Sequence, residues 1–235
     1  MSSPLTPLTS PDITYPETDY PETDGQPMVS NTVQFRWLVM IKQNLERLQL
    51  DSPLFVAGDL FWYPVEGRPD IRVSPDVMVA VGRPPGDRGS YLQWQEDNIA
   101  PQVVFEILSP GNTLREMSNK LLFYNNYGVE EYYVFDPTKN ILDGWLRTES
   151  GFDSIAEMNG WTSPKLGIQF DLSGEALTMK MPDGKPFETY QELTERAEAA
   201  EVAAASAEQA LEEERSRSAK LAEQLKALGI DPETI

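Results

Sequence analysis

Val103-Val104-Phe105-Glu106-Ile107-Leu108-Ser109-Pro110-Gly111-Asn112-Thr113-Leu114-Arg115-Glu116-Met117-Ser118-Asn119-Lys120-Leu121-Leu122-Phe123-Tyr124, followed by Asn125-Asn126-Tyr127-Gly128-Val129-Glu130-Glu131-Tyr132-Tyr133-Val134-Phe135-Asp136, is the stretch that decides the fold. Residues 102–108 are an apolar, β-branched run bounded by Pro101 and by Ser109-Pro110-Gly111, which reads as a buried strand. Thr113 with Glu116 three residues on fits a capping box, so a helix is expected over about 113–127. Leu114, Met117, Leu121 and Tyr124 form its apolar stripe, and Gly128 ends it. Residues 131–136 then read as a second strand, stopped by Pro137.

Working outward, Val33, Trp37, Met40, Ile41, Leu45 and Leu48 recur at helical spacing over 31–50, with Asn31 or Thr32 as a cap. Residues 54–63 and 73–81 read as strands joined through Gly67-Arg68-Pro69-Asp70. Residues 82–101 read as a loop with room for one helical turn, and shorter strands are expected at 141–147, 152–158, 166–172 and 176–181. The order of elements predicts an α/β domain over 28–185 with a mixed central sheet flanked by helices.

Two flanks differ in composition. Residues 1–27 hold six prolines and a direct repeat, Tyr15-Pro16-Glu17-Thr18-Asp19 then Tyr20-Pro21-Glu22-Thr23-Asp24, and read as an extended arm. At the other end, over 186–235, Leu193, Ala197, Ala200, Ala204, Ala207, Leu211, Glu214, Ser218, Leu221, Leu225 and Leu228 alternate by four and three. That is a heptad seam, closed by Gly229 and Pro232. It predicts a long helix pairing as a coiled coil in a homodimer, with a long helix folded on its own domain or left in solvent as the alternative, because the alanines, Glu214 and Ser218 weaken the seam.

Composition narrows the chemistry. The 235 residues contain no Cys and no His, which excludes disulfides, thiolate chemistry, a Ser-His-Asp triad and His-ligated zinc. What remains is carboxylate, Lys, Tyr or Ser chemistry, or a hard, oxygen-bound ion such as Mg²⁺ or Mn²⁺. Net charge is −19, and residues 31–185 still carry 21 acidic against 14 basic side chains, so tight non-specific DNA binding is not expected. No signal peptide and no membrane span are expected, which leaves a cytoplasmic protein.

Glu106 lies inside an apolar strand, and Asp76 opens another, in Ser74-Pro75-Asp76-Val77-Met78. A carboxylate in such a place is costly unless it is paired, hydrogen-bonded or metal-bound. Alternation puts Asp76, Met78 and Ala80 on one face. Lys120 lies about 70° off the centre of its helix's stripe, at the edge of the buried face, where its stem can thread inward. Taken singly, each has an ordinary structural explanation: a satisfied acid, or a boundary lysine paired with Glu116. Asp59, in Gly58-Asp59-Leu60-Phe61, is a further candidate with a supporting role.

These residues carry a resemblance. Tyr20-Pro21, Asp24-Gly25, Pro27-Met28, Gly58-Asp59-Leu60-Phe61, Val73-Ser74-Pro75-Asp76-Val77, Ala100-Pro101, Glu106-Ile107-Leu108-Ser109, Lys120, Tyr124, Gly128-Val129-Glu130-Glu131-Tyr132 and Asp136-Pro137 stand in the order seen in one family. Over roughly 20–185 the chain resembles the Uma-two family of proposed restriction endonucleases, abundant in cyanobacteria and part of the PD-(D/E)XK superfamily. The resemblance implies a restriction-endonuclease-like fold and metal-dependent cleavage of DNA. Asp76 and Glu106 would be the two acids, with the Ile107 carbonyl as third metal ligand, and Lys120 on the helix would replace the lysine expected where Leu108 stands. Glu116 stands where the family usually has Asp, and Gln34 where many members have His, so both become supporting groups. The alternative is an inactive nuclease fold that acts as an assembly or DNA-associated module through its tail.

Overall fold

The computed structural model describes residues 19–22 and 32–227. Most of the expected arm, the Asn31 cap and the tail's Leu228, Gly229 and Pro232 lie outside the described residues. The chain divides into two compact units, one ending at Phe187 and the other beginning at Glu188.

The first unit is a six-stranded mixed sheet. Helix α1 (Thr32–Leu45) comes first, then β1 (Leu54–Gly58), β2 (Trp62–Tyr63), β3 (Val77–Val81), β4 (Tyr91–Leu92) and β5 (Val103–Ile107). Helix α2 (Leu114–Asn126), β6 (Glu131–Asp136), β7 (Ile141–Thr148), β8 (Gly151–Ser154), β9 (Gln169–Asp171) and β10 (Thr178–Lys180) follow. The strand order is β1-β3-β5-β6-β7-β8, and β9 and β10 form a separate antiparallel pair. Within the large sheet only β5 and β6 are parallel, because α2 carries the chain back over one face between them. β3 runs antiparallel to both β1 and β5.

Each face has its own core, as the period of two requires. Val77, Val79, Val103, Phe105 and Ile107 pack with Ile41 and Leu45 of α1. Met78, Ala80, Val104 and Val134 pack with Tyr124 of α2. Helix α2 begins with the Thr113 hydroxyl accepting from the Glu116 N–H at 3.2 Å. It ends with the Val129 N–H on the Tyr124 carbonyl at 3.2 Å, around Gly128 at φ 92°, a Schellman-type stop.

Three expectations need correction. The single strand over 54–63 is broken: Asp59 takes φ 50° and its N–H turns to the Pro75 and Asp76 carbonyls at 3.1 and 3.2 Å. Trp62–Tyr63 therefore leaves the large sheet and pairs in parallel with β4. Leu114 is 86% exposed and does not belong to the buried stripe of α2, because it sits at the open first turn. α1 stops at Leu45, five residues short of the expected end.

The loop at 82–101 is held by an ion-pair knot. Buried Glu96 receives Arg83 at 2.8 Å and Arg88 at 2.6 Å, and Arg88 also lies over the Phe55 ring at 3.9 Å. Glu96→Gln removes the carboxylate that Arg83 and Arg88 share, while Arg83 keeps Asp97, and is expected to lower stability in a urea titration.

The second unit is α3 (Tyr190–Ala227), a single 38-residue helix. Thr189 and Glu192 form a reciprocal capping box that the sequence reading passed over: Thr189 N–H donates to Glu192 Oε2 at 2.7 Å, and Glu192 N–H to Thr189 Oγ1 at 3.3 Å. Leu211 and Leu221 of the heptad seam are exposed in the single chain. Among the described residues no helix is long and apolar enough to cross a membrane.

Candidate active site

The ladder between β3 and β5 ends at Val77 opposite Phe105. Asp76 immediately precedes β3 and Glu106 immediately follows Phe105, so both stand at the end of this ladder, and their like charges repel. The fold therefore places two carboxylates where a cation is needed, and α2 supplies one. Lys120 Nζ lies 2.8 Å from Glu106 Oε2 and 3.4 Å from the Ser74 carbonyl oxygen.

Every oxygen of the two acids is engaged. The Ile107 N–H, which falls beyond the end of the ladder, donates to Asp76 Oδ2 at 2.6 Å. The Gln34 amide reaches from α1 to both Asp76 oxygens at 3.3 Å. The Tyr124 hydroxyl, four residues after Lys120 and so on the same side of α2, donates to Glu106 Oε1 at 2.5 Å.

Burial dominates the electrostatics. Glu106 is 3% exposed, and desolvation pushes its carboxyl up to about 7, with the Asp76 charge adding to the rise and Lys120 opposing it. Asp76 is raised by burial in the same way, against the Ile107 N–H, Lys120 and Gln34. Burial alone would lower the Lys120 ammonium, but Glu106, Asp76 and Glu116 together leave it raised. Tyr124 is pushed well up by burial and by Glu106. The buried Tyr132 hydroxyl has no hydrogen-bond partner among the described residues, and the Glu106 and Asp76 charges add to the rise that its burial causes.

Asp76, Glu106 and Lys120 are thus brought together, with Gln34 touching the cluster. The Asp59 and Glu116 carboxylates make no hydrogen bond to the three side chains, although the Asp59 N–H donates to the Asp76 carbonyl at 3.2 Å and the Glu116 charge acts on Lys120. Exposed Asp59 accepts from the Ser74 hydroxyl at 2.9 Å and acts on Asp76 through its charge. Exposed Glu116 accepts from the Asn112 amide at 3.1 Å. Tyr124 lies in the buried stripe of α2 as expected, and its hydroxyl has a further role that periodicity did not show, serving Glu106. Its offset of four from Lys120 was the available signal.

The description “Putative restriction endonuclease” belongs to the Uma2 family model, which matches residues 10–185. The chain belongs to the Uma2 family. All six strands of the large sheet and the whole Asp76–Glu106–Lys120 cluster fall inside the matched region. A crystal structure from Anabaena variabilis, described as a putative nuclease belonging to DUF820, is similar at 16% identity and a TM-score of 0.40, over 64% of this chain and 84% of that one. No curated protein matches.

The donor set of this Uma2 site suits a hard divalent ion. Among the described residues no group of three or more His, Cys, Asp or Glu side chains is placed to hold a metal. The chain offers two carboxylates and backbone oxygen. That fits Mg²⁺, which binds through one or two carboxylates and keeps several waters, better than an ion needing an all-protein cage.

Proposed function

We propose that the Asp76–Glu106–Lys120 cluster is the active site of a cytoplasmic endonuclease that hydrolyses phosphodiester bonds in DNA with Mg²⁺ or Mn²⁺. The observation that carries this reading is the buried cluster itself, in which Lys120 meets Glu106 while the Ile107 N–H, next to Glu106 in β5, meets Asp76. Asp76, Glu106 and the Ile107 carbonyl would hold the ion, which when bound polarises a phosphate oxygen and lowers the pKa of water. The chain's own groups do the rest. The Ile107 N–H and the Gln34 amide fix the Asp76 carboxylate. Tyr124 holds one Glu106 oxygen, so its rotamer is set before substrate arrives. Lys120, anchored by Glu106 and Ser74, keeps a positive charge where negative charge builds on the phosphate. In the same proposal, α3 pairs two chains through its heptad seam, which buries Leu211 and Leu221.

One observation favours a second reading. Both Glu106 oxygens are already satisfied by Lys120 and Tyr124, as they would be in an inactive nuclease fold kept for assembly. Calorimetric titration with Mn²⁺ separates the two. A ligating carboxylate must be deprotonated, so the active-site reading expects binding that is tighter at pH 8 than at pH 6 and absent in Glu106→Gln. No binding at millimolar Mn²⁺ at either pH supports the assembly reading.

A further inference from the structure

The repeat in the N-terminal arm has a physical counterpart on the body of the protein. Tyr20 of the second repeat is docked in a slot at the β2–β4 corner. Its ring meets Tyr63 edge-on at 5.2 Å and lies tilted on Trp94 at 4.9 Å. Its hydroxyl accepts from the Gly67 N–H at 2.5 Å. The next residue, Pro21, accepts from the Tyr63 hydroxyl at 2.6 Å through its carbonyl. The Glu22 carboxylate lies where a Cβ on residue 89 would sit, so Gly89 leaves the space that it fills. The slot thus reads three consecutive features: an aromatic ring with a hydroxyl, a carbonyl set by proline, and a short acidic side chain against a glycine.

Tyr15-Pro16-Glu17 presents the same three features in the same order, and the identity continues through Thr18-Asp19. Every residue of the second repeat that touches the slot therefore has an identical counterpart five positions upstream. Geometry does not oppose the exchange. Seating the upstream unit lengthens the tether to α1 by five residues, and a longer tether reaches the same helix without strain. We propose that the Tyr63–Trp94–Gly67–Gly89 slot is a binding site for the Tyr-Pro-Glu unit as such, and that Tyr15-Pro16-Glu17 is its second, interchangeable occupant. The arm then docks in two registers. The contacts at the slot stay constant while the chain between the slot and Gln34 changes length. This inference concerns the arm alone and does not rest on the nuclease reading.

The Trp94 indole N–H resonance of the full chain, assigned with Trp94→Phe, reports the slot because Tyr20 lies on that ring. Tyr15→Ala and Tyr20→Ala are each expected to leave the resonance near its wild-type position, since the remaining unit fills the slot. Tyr15→Ala/Tyr20→Ala is expected to shift it, with the other four indole signals in place as evidence of folding. Added acetyl-Tyr-Pro-Glu-Thr-Asp-amide should return it to the wild-type position. A Tyr20→Ala spectrum already at the position of the double variant would overturn the proposal, because the slot would then accept only one unit. So would a double variant indistinguishable from the wild type, or a peptide without effect at millimolar concentration.

Discussion

Asp76→Asn is expected to leave the protein at least as stable as the wild type while lowering metal-dependent DNA cleavage by about a hundredfold or more, the scale of losing a group that stabilises transition-state charge. The two halves of this result have one cause. Burial raises the Asp76 carboxyl above its ordinary range, so its ionised form works against folding at neutral pH. Asparagine keeps an oxygen for the Ile107 N–H and removes the opposed charge beside Glu106. A structural acid would behave in the opposite way, with stability lost on neutralisation. Urea titration and plasmid cleavage on the same preparation measure both quantities.

Lys120→Met should produce the largest loss of stability in the site at pH 8, because Glu106 then has no cation beside it and must take up a proton to stay buried. The loss should depend on pH in a defined direction. In the wild type the Glu106 carboxyl is raised to about 7 from an unfolded value near 4.5. The folded chain therefore binds the extra proton between these values. The stability that this brings is full below about pH 4.5 and is lost as pH rises through about 7. Without Lys120 the carboxyl rises further, so the variant goes on losing stability above pH 7. At pH 5 Glu106 is protonated in both proteins, and the part of the difference that builds above pH 7, about 1.4 kcal/mol per pH unit, should vanish. Urea titrations at pH 5 and pH 8 test this. A difference that is constant with pH would mean that Lys120 contributes packing rather than charge.

The site was legible in the sequence to the extent that it rests on local pattern. Glu106 inside an apolar strand and Asp76 at the mouth of another are visible because a buried carboxylate violates the strand pattern around it. The position of Lys120 at the edge of the helix stripe follows from helical periodicity alone. Their convergence is implied by the family resemblance and not by local pattern, since a single chain's pattern does not encode how β3 registers on β5. The ring of Tyr124 was placed correctly in the stripe, but its hydroxyl's bond to Glu106 was not legible, because an apolar ring and a polar hydroxyl share one side chain and periodicity sees only the ring. The break at Asp59 was missed for a related reason. Leu60, Phe61, Trp62 and Tyr63 continue the apolar run, while the bend is made by one backbone angle and two hydrogen bonds to the Pro75–Asp76 turn. The capping box that starts α3 was legible, but the heptad drew the reading further down the helix.

The central claim is that Asp76, Glu106 and Lys120 form a single metal-dependent phosphodiesterase site. Cleavage of supercoiled plasmid by the full chain in Mg²⁺ or Mn²⁺, beside Asp76→Asn, Glu106→Gln and Lys120→Met, tests it most directly. The account predicts nicking or linearisation by the wild type that chelator abolishes and that all three variants lack while remaining folded. Equal cleavage by the wild type and the folded variants would contradict it, as would a folded, Mn²⁺-loaded wild type that leaves the plasmid intact.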